Sequence, residues 1–223
     1  MNKVAKEIFW DNVDPNSTTA TRFRDGKERL IYDVEFVKKF IPQNGAVLDL
    51  GCGTGVMTLE LKKYASIVYA VDYIAAFLDK IPDQEGLIKR VSDANTFCEK
   101  ENFFDVITIF GAIQYNVGKD LIMIYENCYK MLKKGGVLLV SGQWGVNNTV
   151  TINNYSHELK SNYFAEYRTV KQETDLLDSV GFSTRVEDIL PEKFNRFENT
   201  KFHCLVAEKW WIYQILNTIS LLA

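Results

Sequence analysis

The residues best placed to do chemistry form one short stretch, in which Asp49 is followed by the glycine-rich run Gly51–Gly55, GCGTG. Glycine is required where the backbone takes a positive φ or passes close to a ligand, because a Cβ would clash. An apolar run, Val47–Leu50, precedes these glycines and a helical apolar pattern follows them, so a buried strand feeds a turn that opens a helix. The unsatisfied N–H groups at the start of such a helix point at whatever occupies the turn. The sequence therefore predicts a ligand-binding strand–turn–helix unit.

The spacing of the glycines separates the kinds of ligand that such a turn can hold. Dinucleotide-binding turns use Gly-x-Gly-x-x-Gly and P-loops end in Gly-Lys-Ser/Thr, whereas this chain has Gly-x-Gly-x-Gly without that ending. The carboxylate of Asp49, just before the turn, would repel a phosphate and suits a ligand with a cationic end. An NAD-dependent oxidoreductase is therefore disfavoured.

Three segments together resemble one enzyme family. The stretch from Val47 to Gly55 is similar, almost residue for residue, to motif I of the class I S-adenosylmethionine-dependent methyltransferases. Phe104–Ala112 resembles the motif IV region of that family, and Leu132–Val140, LKKGGVLLV, resembles its turn into strand five. The resemblance runs roughly from Phe36 to Glu208 and implies S-adenosyl-L-methionine as the cofactor and methyl transfer as the activity.

The resemblance also implies cofactor contacts at the ends of successive strands. Asp49 and the glycine turn would hold the amino-acid end of the cofactor, Asp72 its ribose hydroxyls, and Asp93 its adenine amino group. Asp72 lies at the separation from the turn at which an acid meets a ribose in nucleotide folds, and it also suits a helix cap. The predicted cofactor-binding residues are Asp49, Gly51, Cys52, Gly53, Gly55, Asp72, Tyr73, Asp93, Ala94, Phe110 and Gly111.

Candidate groups for the methyl acceptor follow strand four and lie in a later segment rich in Asn and Tyr. Methyl transfer needs an aligned nucleophile and often the removal of its proton. His157 is the candidate general base because histidine titrates near neutrality, and Tyr115 is the second candidate catalytic residue; His203 is interpreted as structural. The predicted substrate-binding residues are Gln114, Gln143, His157 and Arg168, the last as a partner for a carboxylate or phosphate.

The alternation of strands and helices predicts the fold that positions these residues. Apolar runs predict strands at 47–50, 67–71, 86–91, 103–110 and 137–141, followed by an antiparallel pair at 182–189 and 202–207. Strands that alternate with helices imply right-handed crossovers and a parallel sheet. We predict a Rossmann-like, doubly wound α/β fold with a seven-stranded, mostly parallel sheet and an antiparallel last strand. The run Lys133–Gly136 is expected to cap the preceding helix.

The length of 223 residues suits a single methyltransferase domain with a full core. Residues 1–30 are interpreted as an N-terminal lid, with a partly ordered leader as the alternative, and 142–168 as a substrate cap. The apolar tail, 208–223, is too short and interrupted to span a membrane, so we expect it to pack on the domain or to form a homodimer contact.

Composition narrows the classes of function. A net charge of −3 without a Lys/Arg block disfavours a nucleic-acid partner. Four scattered cysteines indicate reduced thiols without a metal site, and the chain start lacks a signal-peptide core, so a cytoplasmic protein is expected. The leading prediction is methyl transfer to an O or N atom of a small polar acceptor, such as a surface-polysaccharide or secondary-metabolite precursor. The alternatives are a protein or RNA methyltransferase and a non-catalytic cofactor-binding scaffold.

Overall fold

Strands and helices alternate along the chain in the computed structural model, which describes residues 9–10, 13–17, 26–156 and 161–210. The strands are β1 (Ala46–Leu50), β2 (Ile67–Asp72), β3 (Leu87–Val91), β4 (Phe104–Phe110), β5 (Leu132–Gly145), β6 (Val150–Ser156), β7 (Ser161–Tyr167), β8 (Ser183–Glu187) and β9 (Thr200–Glu208). The helices are α1 (Gly26–Val37), α2 (Val56–Leu61), α3 (Ala75–Leu78), α4 (Gly118–Met131) and α5 (Val170–Val180). Short 3-10 turns cover Lys38–Phe40, Ile113–Tyr115 and Glu192–Phe194.

Seven of these strands form one sheet in the order β3-β2-β1-β4-β5-β9-β8. Strand β1 pairs in parallel with β2 and with β4, and β9 runs antiparallel to both β5 and β8. Each parallel crossover brings the carboxyl end of its strand to the same edge of the sheet. The predicted sheet, mostly parallel with an antiparallel last strand, is confirmed.

Helices cover both faces of the central strands, which explains their nearly continuous apolar sequences. Successive side chains of β1 point to opposite faces. Leu48 packs in the cluster that contains Leu121 of α4 and Leu177 of α5, whereas Val47 packs in the cluster that contains Leu61 of α2. The buried sheet is therefore the rigid support for the loops at its carboxyl edge.

The stretch Lys133–Gly136 belongs to β5, so the predicted helix cap at this place is wrong. The pairing starts already at Leu132, opposite Phe104, and the N–H of Gly135 donates to the carbonyl of Lys209 at 3.0 Å. The neighbouring strands thus satisfy backbone groups that a helix end would leave open, and strand pairing begins where the helix stops.

The predicted cap segment is divided between two sheets. Its first residues, Gly142–Gly145, continue β5 and pair with β9. The rest forms an antiparallel hairpin of β6 and β7, a separate two-stranded sheet with Ile152 opposite Ala165. His157 lies outside the described residues, in the connection between these two strands.

Parts of the predicted lid and tail also lie outside the described residues. Of the lid, residues 9–10, 13–17 and 26–30 are described, and of the tail, residues 208–210. The homodimer contact through the tail and the cytoplasmic location stay predictions. In the part of the chain that the structure describes, none of the helices is long and apolar enough to cross a membrane.

Candidate cofactor and acceptor site

A cavity of about 400 Å³ lies at the carboxyl edge of the parallel strands. It is lined by residues that follow each of β1 to β4, by β5, by the β6–β7 hairpin and by the loop before β9. Twelve of the predicted site residues line it together: Gly51, Cys52, Gly53, Asp72, Tyr73, Asp93, Ala94, Phe110, Gly111, Gln114, Tyr115 and Gln143. Asp49, Gly55 and Arg168 do not line it, and His157 lies outside the described residues.

The glycine turn after β1 has the backbone conformation that its sequence predicts. Gly51, Gly53 and Gly55 all have positive φ, at 75°, 57° and 74°. The N–H groups of Gly51 and Cys52 donate to the carbonyl of Val71 at 2.8 and 3.0 Å, which ties the turn to the end of β2. A Cβ on Gly51 would lie 2.7 Å from the Cβ of Ala112, so this glycine also lets the loop after β4 approach.

Asp49 lies before the turn, on β1, and is not among the residues that line the cavity. Its carboxylate accepts hydrogen bonds from the hydroxyls of Thr58, at 2.7 Å, and Thr108, at 3.0 Å, and the residue is 2% exposed. The two hydroxyls join β1 to α2 and β4. Asp49 thus braces the turn, and its contact with the amino-acid end of the cofactor stays a prediction.

Asp72 faces the cavity at the end of β2 and has room to accept further hydrogen bonds. One carboxylate oxygen accepts from the N–H of Gly53 at 2.8 Å and the other from the N–H of Ile74 at 3.0 Å. Burial raises the pKa of Asp72, and these backbone bonds offset the rise only in part. A carboxylate has about four lone-pair positions, so capacity remains for ribose hydroxyls even with the further backbone contact from Tyr73. This arrangement fits the ribose of a nucleoside.

Tyr73, Asp93 and Ala94 continue the cavity wall past the ends of β2 and β3. Asp93 starts a turn in which its own carbonyl accepts from the N–H of Phe97 at 3.0 Å. Since β3 is next to β2 in the sheet, the Asp93 turn is the neighbour of Asp72. A nucleoside could therefore lie along this edge of the sheet with its ribose at Asp72 and its base at Asp93.

Gln114 lies at the other end of the cavity, in the 3-10 turn after β4. Its amide Nε2 donates to the carbonyl of Gly111 at 2.9 Å, which fixes the orientation of the amide. Its Oε1 is buried and has no hydrogen-bond partner among the described residues. A buried amide oxygen without a partner is costly, so this atom is a strong candidate to accept a hydrogen bond from a ligand.

Tyr115 starts a chain of three phenols. Its hydroxyl lies 3.4 Å from that of Tyr163, which lies 3.0 Å from that of Tyr167. Burial, together with the neighbouring phenol, raises the pKa of Tyr115 well above its ordinary value, and burial also raises the pKa of Tyr163. Both phenols therefore keep their protons near neutral pH and are poor general bases.

Aromatic rings from distant parts of the chain surround the Tyr115 hydroxyl. Trp10 contacts the rings of Tyr115 and Phe77 edge-on, with centroids 5.1 and 6.4 Å apart, and Phe9 packs on Tyr163 at 5.0 Å. Phe9 and Trp10 line the cavity, and the lid role of residues 1–30 stays a prediction. In the sequence, Phe9 and Trp10 form an isolated aromatic pair within a polar segment, so the sequence alone did not indicate which rings they contact.

Two arginines of the cavity wall were missed by the sequence analysis. Arg29 is buried on α1, with its guanidinium 4.3 Å from the ring centre of Phe202, and Arg196 lies in the loop before β9. The sequence did contain a signal for Arg29: Asp33 lies one helical turn later, and such a pair next to apolar positions of a helix indicates a partly buried arginine. Arg196 carries no comparable signal.

Gln143 and Arg168 both have protein partners. With its amide oriented to satisfy its neighbours, Gln143 accepts from the N–H groups of Arg196 and Phe197 at 3.0 and 2.9 Å, and so holds the loop before β9. Arg168 is buried in an ion pair with Glu173, with Nε 2.5 Å from the carboxylate. His203 lies outside the cavity wall and pairs with Asp188 at 2.5 Å.

Comparisons with known proteins agree with this geometry. Residues 48–140 match the family model described as a methyltransferase domain. The phosphoethanolamine N-methyltransferase of Plasmodium falciparum is 24% identical over 200 residues, which are 87% of this chain and 71% of that enzyme. The ribosomal protein L11 methyltransferase of Thermosipho melanesiensis is 35% identical over 111 residues, 48% of this chain and 41% of that enzyme. Apart from the Plasmodium enzyme, the chain spans about half the length or less of the first curated relatives it matches.

A solved structure shares the fold over most of the chain. Phosphoethanolamine N-methyltransferase 2 of Haemonchus contortus, determined with phosphomonomethylethanolamine and S-adenosylhomocysteine, superposes with a TM-score of 0.68 at 17% identity. The superposition covers 92% of this chain and 60% of the Haemonchus chain. The motif at Val47–Gly55, the confirmed sheet and the matching family model together identify residues 48–140 as a class I S-adenosylmethionine-dependent methyltransferase domain, whose cofactor is S-adenosyl-L-methionine.

Proposed function

We propose that this protein transfers the methyl group of S-adenosyl-L-methionine to the nitrogen of a small primary or secondary amine that also carries an anionic group. The observation that carries the proposal is the buried, unpartnered Oε1 of Gln114 at the acceptor end of the cavity. An amine retains an N–H when its lone pair points at the methyl group, and that N–H suits a fixed amide oxygen. A fully substituted or deprotonated oxygen nucleophile has no such donor.

An amine nucleophile, unlike an alcohol, does not depend on a base in the cavity wall. Among the described residues that line the cavity, the carboxylates are Asp72 and Asp93, which follow β2 and β3, and histidine is absent. Gln114 and Tyr115 follow β4, two strands away from β2. An alcohol would need a base beside it, whereas an unprotonated amine attacks with its lone pair.

When bound, the cofactor supplies an electrophilic methyl group on a sulfonium, which leaves as a neutral thioether. The amine nitrogen would take this methyl group as the C–S bond breaks, with the bonding electrons left on sulfur, and the product ammonium would lose its proton to solvent. The residues of this chain orient the nitrogen and exclude water. Gln114 accepts its N–H, and the backbone of Phe110 and Gly111 offers a surface beside the reacting atoms.

The aromatic rings and the arginines suit the two ends of such an acceptor. Trp10, Tyr115 and Tyr163 stand edge to face in the wall, and ring faces attract alkylammonium groups. Arg29 and Arg196 bring positive charge to the same cavity, which suits a phosphate or carboxylate on the acceptor. The similarity to two phosphoethanolamine N-methyltransferases supports this class of substrate.

The test is a panel of acceptors assayed for S-adenosylhomocysteine release. Phosphoethanolamine and its monomethyl form represent amines with an anion, ethanolamine lacks the anion, and a catechol represents oxygen acceptors. We expect turnover with the first pair, weak turnover with ethanolamine and none with the catechol. The rate with an amine should rise with pH as the ammonium loses its proton. Preferred methylation of the catechol, or of a ribosomal protein, would overturn the proposal.

A further inference from the structure

We infer that Arg168, with Glu173 and Tyr125, is a buried positioning device for the acceptor-binding turn, and not a substrate ligand. The inference rests on the proposed function in one respect, namely that Gln114 and Tyr115 contact the acceptor. The 3-10 turn Ile113–Tyr115 carries both of these side chains into the cavity. Its position therefore sets where the acceptor nitrogen lies relative to the methyl group.

The guanidinium of Arg168 contacts the backbone on both sides of this turn. Its Nη1 donates to the carbonyl of Asn116 at 3.0 Å, and its Nη2 lies 3.5 Å from the carbonyl of Ile113. One planar group thus spans the two ends of the segment that presents Gln114. The five N–H donors of arginine have a fixed fork geometry, which a lysine ammonium does not reproduce.

Glu173 holds the guanidinium in place from the opposite side. Its two carboxylate oxygens accept from Nε of Arg168 at 2.5 Å and from Nη2 at 3.2 Å, and one of them also accepts from the hydroxyl of Tyr125. Glu173 and Tyr125 are fully buried and Arg168 is 6% exposed. Burial disfavours the charge on Arg168, yet the bonds to Glu173 leave its pKa raised, so the cation persists.

The network joins two stretches that are far apart in the sequence, 113–125 and 167–173. Tyr125 lies on α4, Glu173 on the first turn of α5, and Arg168 directly after β7. Its chain neighbour Tyr167 is the last phenol of the hydroxyl chain that starts at Tyr115. A buried ion pair stabilises little on balance but specifies one arrangement, which is the property that an acceptor site needs.

The test is Arg168→Lys, with Arg185→Lys as its matched control. Lysine keeps the positive charge beside Glu173 but cannot reach both carbonyls, whereas Arg185 is a half-exposed arginine on β8 paired with Glu187 and Glu208. We expect Arg168→Lys to lower kcat/KM for the amine about 10- to 100-fold, because small misplacements of reacting groups cost that much. The cofactor Kd should stay within about twofold, and the control should match the wild type.

Hydrogen exchange gives a readout that needs no acceptor. In Arg168→Lys the backbone amides of 113–117 should exchange faster than in the wild type, while those of β1 and β2 stay unchanged. Unchanged exchange at 113–117, or a cofactor affinity that falls in parallel with turnover, would overturn the inference. A wild type that methylates no amine would refute the proposed function and leave the exchange result to decide this one.

A second variant covers the case in which Arg168→Lys does not fold. Removing one partner of a buried ion pair leaves the other charge uncompensated, whereas removing both is often tolerated. Arg168→Met combined with Glu173→Gln removes both charges and keeps the volume. The same faster exchange at 113–117, with cofactor affinity retained, is expected, and protection equal to the wild type would again refute the positioning role.

Discussion

The two halves of the cavity are built in different ways. The cofactor half, at the ends of β1, β2 and β3, consists mainly of backbone turns braced by nearby groups, such as the carboxylate of Asp72 on the N–H of Gly53. The acceptor half, at the ends of β4 and β5, consists of side chains from the N-terminal segment, α1, the β6–β7 hairpin and the loop before β9. The first half depends on local conformation and the second on long-range packing.

This difference indicates that the cofactor half determines cofactor affinity and that the acceptor half determines turnover. A turn with positive φ at three glycines has few alternative sequences, so the cofactor site is specified by a short motif. Aromatic contacts such as Trp10 on Tyr115 can be exchanged for others of similar shape. We expect substitutions in the cofactor half to change cofactor affinity, and substitutions in the acceptor half to change turnover at constant cofactor affinity.

Asp72→Ala is the sharpest test of the cofactor half. The substitution removes the proposed acceptor of two ribose hydroxyls and the brace on Gly53. Hydrogen bonds to charged groups are worth about 1.5–3 kcal/mol each, so the cofactor Kd should rise at least 100-fold. Titration calorimetry with S-adenosylhomocysteine measures it, and Asp83→Ala, an exposed carboxylate paired with Lys89, is the control. An unchanged Kd would remove the ribose assignment.

The same contrast explains how far the sequence could predict the structure. The strands, the antiparallel pair and the glycine turn follow from apolar periodicity and local backbone requirements, which act within a few residues. The predicted helix cap at Lys133–Gly136 was wrong because basic residues and glycines suit a helix end as well as a strand. Only the pairing of Leu132 with Phe104 decides between the two structures. The arrangement of strand partners is not encoded within that stretch.

The protein partners of two predicted site residues escaped prediction for a related reason. Arg168 was chosen for its charge, but its partner Glu173 lies behind the cavity, and only the packing of α5 on α4 brings Tyr125 to the same carboxylate. Asp49 was assigned to the cofactor by resemblance, and the sequence did not show that two threonine hydroxyls from other elements also bond its carboxylate. Residue type indicated polar function in both cases, and tertiary contacts determined which function.

Gln114→Leu tests the acceptor half. Leucine has a similar volume but offers no oxygen to the neutral amine, so kcat/KM for the acceptor should fall about 2- to 12-fold, the equivalent of one neutral hydrogen bond of about 0.5–1.5 kcal/mol. The cofactor Kd should stay unchanged, since Gln114 follows β4 and Asp72 ends β2. Gln84→Leu, at an exposed glutamine, is the control. A parallel loss of cofactor affinity would break the proposed separation of the halves.

Gly51→Ala should affect both halves at once. The residue has a φ of 75°, and an added Cβ would lie 2.7 Å from the Cβ of Ala112, at the start of the acceptor turn. The left-handed conformation costs an L-residue about 1–2 kcal/mol, so we expect cofactor affinity and turnover each to fall about tenfold. Gly135→Ala is the matched control, because Gly135 has the same φ of 75° but nothing within 4 Å of a Cβ.

If Gly51→Ala and Gly135→Ala both lower stability but only the former lowers cofactor affinity and turnover, the contact with Ala112 is responsible. A loss confined to cofactor affinity in Gly51→Ala would show that the acceptor turn tolerates the displacement. The combined result thus measures how strongly the two halves are coupled through one backbone contact.

The smallest expected effect is the pH dependence of cofactor binding in the wild type. Burial raises the pKa of Asp72 above that of a free aspartate, so the carboxylate takes up a proton at a higher pH than usual. The folded protein then binds that proton more readily than the unfolded chain, and this contribution to stability is lost as pH rises through the folded pKa.

The pH dependence of cofactor affinity has the opposite sign, because only the charged carboxylate accepts from both hydroxyls. Titrations toward acid pH should show affinity falling a few fold, and Asp72→Asn, which cannot titrate, should bind more weakly but without this slope. A slope that persists in Asp72→Asn would show that Asp72 is not its source.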